Sequence, residues 1–356
     1  MSIRVGIIGT GWGGQLHLEA ARRTPEVEIV ALCGRTADYG QTVARQYDVP
    51  HFYTDYQQML KEADLDLLTI ATPPPLHYEM TLAGIHHGCH VLCEKPMGMN
   101  ATEAHELFLA AEENQVKHAT GFIWRSDPSI LALRKHLQEE RIGAMREVQV
   151  RCALGTPPMP YTWLYDKAAG GGSLMQHGSH MIDRTRWILG AELENVRGYA
   201  TYAIREAQKV PHFHNVSEVF GWRPPQQENA PAYLPVTADT GYSIQATVKG
   251  TIPVSLWESW PAISEEHDTI EVYGTTGTLK WTGGAGLRLL LPRGRSETLA
   301  VSASGSGSGE EREVGHKLWQ TLMQNFVADI QKREADPYPT FYDGWQVHKV
   351  IDAILS

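Results

Sequence analysis

The stretch "VGIIGTGWGGQLH" (residues 5–17) closes an apolar, β-branched run with a glycine-spaced turn and then opens an amphipathic segment. Gly9, Gly11 and Gly14 stand at G-x-G-x-x-G spacing. The first glycine of such a turn permits the tight bend, the second lets a pyrophosphate approach the backbone, and the third packs helix on strand. The helix N-terminus then faces the phosphate charge. Between a strand and a helix, as here, the spacing predicts a dinucleotide site, with Gly9, Gly11, Trp12 and Gly14 as its candidate residues.

The same rhythm continues outward. Short runs at 3–8, 27–33, 66–71, 90–93 and 117–122 alternate with amphipathic stretches at 15–23, 38–47, 75–87 and 101–114. Such alternation predicts a Rossmann-type, doubly wound parallel sheet over residues 1–123. Beyond residue 123 the strand-like runs lengthen, at 145–154, 195–204, 242–250, 253–260 and 268–281, with helices near 128–140, 179–189, 316–334 and 343–355. Residues 124–356 are therefore expected to form an α+β domain with an open, mostly antiparallel sheet, its last helices free to pack back on the first domain. Residues 205–238 read as an unusually long loop, and the glycine- and serine-rich 302–311 as a linker.

Composition narrows the function classes. A formal charge of -10 and the lack of a long basic run argue against nucleic acid and anionic membranes as partners. No run of about 18 apolar residues occurs, and the N-terminus carries no export signal. Four cysteines without C-x-x-C spacing fit a reducing cytoplasm. The histidines of "HHGCH" (86–90) and "HFH" (212–214) have no second ligand pair at zinc spacing.

The second strand runs into "VALCGRTADYG", with Gly34, Arg35 and Thr36 at its tip. A carboxylate at that point would hold the ribose hydroxyls of NAD and repel the extra phosphate of NADP. An arginine fork and a hydroxyl suit a 2′-phosphate, so NADP is the expected cofactor, with NAD left open.

Three motifs in order, "GIIGTGWGGQLH" (6–17), "TIATPPPLHYEMTLAGIHHGCHVLCEKPMGMNATEA" (69–104) and "GGGSLMQHGSHMID" (170–183), resemble the glucose-fructose oxidoreductase / inositol dehydrogenase / MocA family. The resemblance implies an NAD(P)-dependent oxidoreductase acting on a sugar, polyol or inositol held in an interdomain cleft. It makes the second domain the substrate-binding and oligomerisation domain of a homodimer or homotetramer. It places Lys95 of Glu94-Lys95-Pro96 against both nicotinamide and substrate hydroxyl, after a commonly cis bond, and makes His180 an acid/base partner or substrate anchor. By the same resemblance Thr72, Pro73 and His77 line the nicotinamide ribose, and Trp124, Arg125 and Trp163 stand at the cleft entrance.

The chemistry suits these residue types. Removing a hydroxyl proton while hydride leaves needs a base, and lysine, with an ordinary pKa of roughly 10.4, becomes one when desolvation or a nearby cation lowers it. Glu94 would oppose that lowering if it met the amine, so it is expected to turn away toward the cofactor. Gln176, His180 and Asp183 fall at i, i+4 and i+7, one face of a regular helix. The family usually carries an acid or asparagine where Gln176 stands, and glutamine can only hydrogen-bond. Two other readings stay open: on account of Gln176, a lyase or glycosidase that oxidises its sugar only transiently, and a cofactor-sensing regulator without turnover, against which the retention of Lys95 and His180 argues.

Overall fold

β1 (Ile3–Ile8) buries five of its six residues, as a strand covered on both faces must. It pairs in parallel with β2 (Val27–Cys33) and, on its other side, with β4 (Leu67–Ile70). With β3 (His51–Tyr53), β5 (His90–Cys93) and β6 (His118–Thr120), this gives a six-stranded parallel sheet in the order β3-β2-β1-β4-β5-β6. The helices α1 (Trp12–Arg22), α2 (Ala37–Gln46), α3 (Tyr56–Glu62), α4 (His77–His86) and α5 (Ala101–Glu113) connect the strands. Asn100 caps α5 by accepting from the Glu103 amide, and Glu103 accepts in return from the Met99 amide. The strand order reverses between β1 and β4, and sheets of this kind bind ligands beyond the strand ends at such a point.

The computed structural model describes residues 2–155, 159–210, 219, 222, 232–300 and 308–356. Residues 2–123 and 315–348 form one compact unit, and most of the remainder forms a second. In the second unit α6 (Pro128–Gln138) precedes β7 (Met145–Ala153), and α7 (Ser179–Leu189) precedes β8 (Glu194–Thr201). A short antiparallel pair, β9 (Glu206–Gln208) and β10 (Tyr233–Pro235), lies within the stretch read as a loop. The sheet is completed by β11 (Gly241–Val248), β12 (Ile252–Ser259), β13 (Asp268–Gly274), β14 (Thr278–Thr282), β15 (Gly286–Leu291) and β16 (Arg295–Ala300). Its order is β16-β15-β14-β13-β7-β12-β11-β8, with β7 and β12 its one parallel pair. The rest of the expected loop, residues 211–218, 220, 221 and 223–231, and residues 302–307 of the expected linker lie outside the described residues, whereas 308–311 begin a helix.

That helix, α8 (Ser308–Ile330), buries Trp319, Leu322, Met323, Phe326 and Val327 in one cluster with Val5, Ile7, Leu18 and Leu92 of the first unit. Each such side chain contributes about 1.5–3 kcal/mol on full burial. The last helix, α9 (Phe341–Leu355), places Phe341 in a second cluster with Ile70, Cys93 and Met97. Its His348 is buried and accepts the Gly98 amide at 3.2 Å through Nε2.

Burial, with His77 nearby, pushes the His348 pKa down to about 4. Between the ordinary histidine value of about 6.5 and 4 the unfolded chain therefore binds a proton that the folded chain does not, so acid destabilises the fold in that window. His348→Gln keeps an acceptor for Gly98 and removes the titration. Urea unfolding midpoints should fall less steeply from pH 6.5 to 4 in this variant than in the parent; equal slopes would contradict the assignment.

Candidate active site

The three glycines of the turn serve three different geometries. Gly9 has φ +128°, and a Cβ there would lie 2.4 Å from the Ala71 carbonyl oxygen at the end of β4. A Cβ on Gly14 would lie 2.0 Å from the Gly9 oxygen, so the turn and α1 meet backbone to backbone. Gly11, the N-cap of α1, has nothing within 4 Å of its Cβ position, which leaves its amide side open to a phosphate. Trp12 follows, 44% exposed. A dinucleotide fits this cradle.

β5 delivers Glu94 and Lys95 past the sheet edge, and the Lys95–Pro96 bond is cis, as the resemblance implied. Glu94 Oε2 accepts the Lys95 amide at 2.9 Å, while Oε1 lies 3.8 Å from Nε2 of the buried His17 in α1. Burial opposes its charge, but His17 and then Lys95 outweigh it and hold the carboxyl below its usual pKa. The expectation that Glu94 turns toward the cofactor is met differently. Its carboxylate accepts from the backbone amide of Lys95 and lies beside His17 of α1.

His77 is buried, with Nδ1 2.7 Å from the Pro96 oxygen and Nε2 2.7 Å from the Thr72 oxygen. A neutral imidazole donates through only one nitrogen, and two carbonyls can only accept. Burial lowers the ring's pKa against the pull of both carbonyls and Glu94. The ring therefore donates to one of the two carbonyls and packs against the other, lodged between the Thr72-Pro73 turn and the Lys95-Pro96 turn.

Arg35 and Thr36 stand exposed at the tip of β2, between Gly34 and the start of α2. Gly34 packs on the turn itself, since its Cβ position lies 2.4 Å from Thr10 Cγ2. The first carboxylate beyond the tip is Asp38, in the first turn of α2.

In the second unit the glycine run ends in a π-turn, Leu174–Gly178, that continues into α7. This changes the helical phase on which the shared face of Gln176, His180 and Asp183 was predicted. Gln176 Nε2 donates back to the Gly170 oxygen at 2.7 Å. Asp183 turns inward, buried on Arg125, whose Nε donates at 2.8 Å and whose second guanidinium nitrogen also pairs with it. Two expected substrate-binding residues thus meet each other. His180 remains part exposed, its ring 6.1 Å from that of Trp124, and Trp163 is 39% exposed at the start of a short 3-10 turn.

Sequence reasoning passed over His17, His348 and Glu258, since single polar residues inside apolar runs carry no spacing signal. Gly14→Ala should destabilise the first unit by about 1–3 kcal/mol, the usual cost of overpacking, in urea unfolding. Gly11→Ala should stay within about 0.5 kcal/mol of the parent yet bind dinucleotide more weakly. Equal stability of the two variants would contradict the packing account.

The profile described as "Oxidoreductase family, NAD-binding Rossmann fold" (GFO/IDH/MocA) matches residues 3–122, and that of the GFO/IDH/MocA C-terminal domain matches residues 130–280. The chain is 28% identical over 281 residues to an uncharacterized oxidoreductase of Synechocystis, covering 78% of this chain and 71% of that one. It is 30% identical over 211 residues to scyllo-inositol 2-dehydrogenase (NADP(+)) of Bacillus subtilis, covering 56% and 62%. Levoglucosan dehydrogenase solved with NADH and L-sorbose superimposes with a TM-score of 0.82 at 21% identity, covering 99% of this chain and 96% of that one. With both profiles matched in order on this fold, the chain belongs to the Gfo/Idh/MocA family of oxidoreductases with an NAD-binding Rossmann domain.

Proposed function

We propose that the protein transfers a hydride between a nicotinamide dinucleotide and a CH–OH carbon of a sugar, polyol or inositol. The observation that carries this reading is the placement of the Gly9–Gly14 turn and the Glu94-Lys95-Pro96 turn at the carboxyl ends of strands of one parallel sheet. Relatives named for an inositol and for an anhydrosugar support the substrate class. When bound, the nicotinamide supplies the hydride acceptor or donor. The turn and the α1 N-terminus hold the pyrophosphate, and Lys95 takes the hydroxyl proton in oxidation or returns it in reduction. His180 holds or assists the substrate. Gln176, a neutral amide, contributes a hydrogen bond and no proton transfer.

The same reading takes NADP as the preferred cofactor, with Arg35 and Thr36 on the 2′-phosphate. Four buried free cysteines accord with a cytoplasmic protein, and no helix among the described residues is long and apolar enough to cross a membrane. A homodimer or homotetramer is part of the proposal, to be read from sedimentation.

Lys95→Ala should keep cofactor affinity and lose about a hundredfold or more in kcat on any polyol that reduces the cofactor in the parent; undiminished turnover would contradict the role. Arg35→Ala should weaken NADP+ binding tenfold or more while leaving NAD+ within about threefold, by fluorescence titration. Equal effects on both cofactors would remove the arginine from the 2′-phosphate. Consumption of a sugar without accumulation of reduced cofactor would move the reading to transient oxidation.

A further inference from the structure

His177 follows Gln176 in the π-turn, and the structure gives it a partner that its sequence neighbours lack. Its Nδ1 lies 3.0 Å from Oε2 of Glu258 on β12, and the carboxylate side chain is 0% exposed while the imidazole is 24% exposed. Glu258 Oε1 also accepts from Ser173 Oγ at 2.7 Å and from Trp260 Nε1 at 3.0 Å. A carboxylate so deeply buried requires donors of this kind, and three converge on it. One of them opens outward. With Nδ1 committed to Glu258, Nε2 is the atom through which His177 meets a ligand.

His177, in the π-turn, and His180, in the first turn of α7, are both part exposed. His177 is backed by a buried carboxylate. The same turn is fixed from below: Asp239 accepts the Leu174 amide at 2.8 Å, and a Cβ on Gly178 would lie 2.8 Å from the buried ring of Tyr242. The imidazole is thus held on a rigid segment.

We propose that His177, oriented by Glu258, is a substrate-binding residue whose Nε2–H donates to an oxygen of the bound sugar or polyol. This rests on the function proposed above and adds a specificity-determining contact to the same site. Glu258 on β12 contacts the imidazole, and Asp268 on β13 and Arg184 on α7, paired with each other at 2.8 and 2.9 Å, act on its charge. Asp239, just before β11, accepts the Leu174 amide of the turn, and burial and Glu258 raise its pKa to about 6. Burial disfavours the His177 charge, but the Glu258 carboxylate outweighs it and raises the ring's pKa. The imidazolium, and with it the Nε2–H donor, is present below that raised pKa and is lost as pH rises through it.

The test is the pH dependence of KM and kcat in the holoenzyme with the best polyol found for the parent. His177→Ala should raise KM tenfold or more at pH 6, as loss of a charged hydrogen bond does, with kcat within about threefold. His177→Gln, which keeps a donor that does not titrate, should recover part of the affinity and abolish the rise of KM with pH. Glu258→Gln should move that rise to lower pH. Unchanged KM and pH profile in folded His177→Ala, with cofactor bound as in the parent, would overturn the contact while leaving the oxidoreductase reading intact.

Should no polyol reduce the cofactor, the function proposal falls by itself. The contact is then decided by the His177 ring signals in NMR of the NADP+-loaded protein titrated with myo-inositol and with L-sorbose. Ligand-dependent shifts that disappear in His177→Gln support it, and signals that do not respond overturn it.

Discussion

A carboxylate withdrawn from water must be met by donors, and in the first unit Glu94 imposes that constraint on everything around it. One oxygen fastens its own neighbour's amide and so sets where the Lys95 backbone begins, while the other faces the buried imidazole of His17. His17 in turn lies 4.3 Å, ring to ring, from Trp319, which belongs to α8 at the far end of the sequence. Gly13 and Gly121 leave the room: a Cβ on them would lie 3.6 and 3.0 Å from the two Glu94 oxygens. The phosphate-side turn, the lysine turn and α8 thereby meet around a single acidic side chain.

The second unit solves a parallel problem with different parts. There Asp183, Glu258 and Asp239 are buried acids, met respectively by Arg125, by Ser173, Trp260 and His177, and by the Leu174 amide. All three gather around α7 and the π-turn that leads into it. A π-turn is a common device at functional positions because it turns side chains away from the phase a regular helix would give them. Here Asp183 pairs with Arg125, Gln176 closes back on the glycine run, and the two histidines remain part exposed.

The Rossmann half was legible because its signals are local and redundant: a glycine spacing with a steric reason, and buried runs alternating with amphipathic ones. β3 escaped because three residues at a sheet edge, one exposed and two half-buried, carry no periodicity. The hairpin β13–β14 read as one strand because its turn, Thr275-Thr276-Gly277, lacks the usual Asn-Gly or Asp-Gly signal. Lys95 and His180 were singled out through ordered motifs. The pairing of Arg125 with Asp183, and of His177 with Glu258, joins residues 58 and 81 positions apart, a relation that no local spacing encodes.

The most direct test of the central claim follows the hydrogen itself. The protein is incubated with NADP+ and a polyol deuterated at its CH–OH carbons, and the reduced cofactor is examined by NMR at nicotinamide C4. Direct transfer predicts deuterium at C4, on one face, with the ketone accumulating in equal amount. A cofactor that stays oxidised, or is reduced without acquiring the label, would contradict hydride transfer as this protein's chemistry.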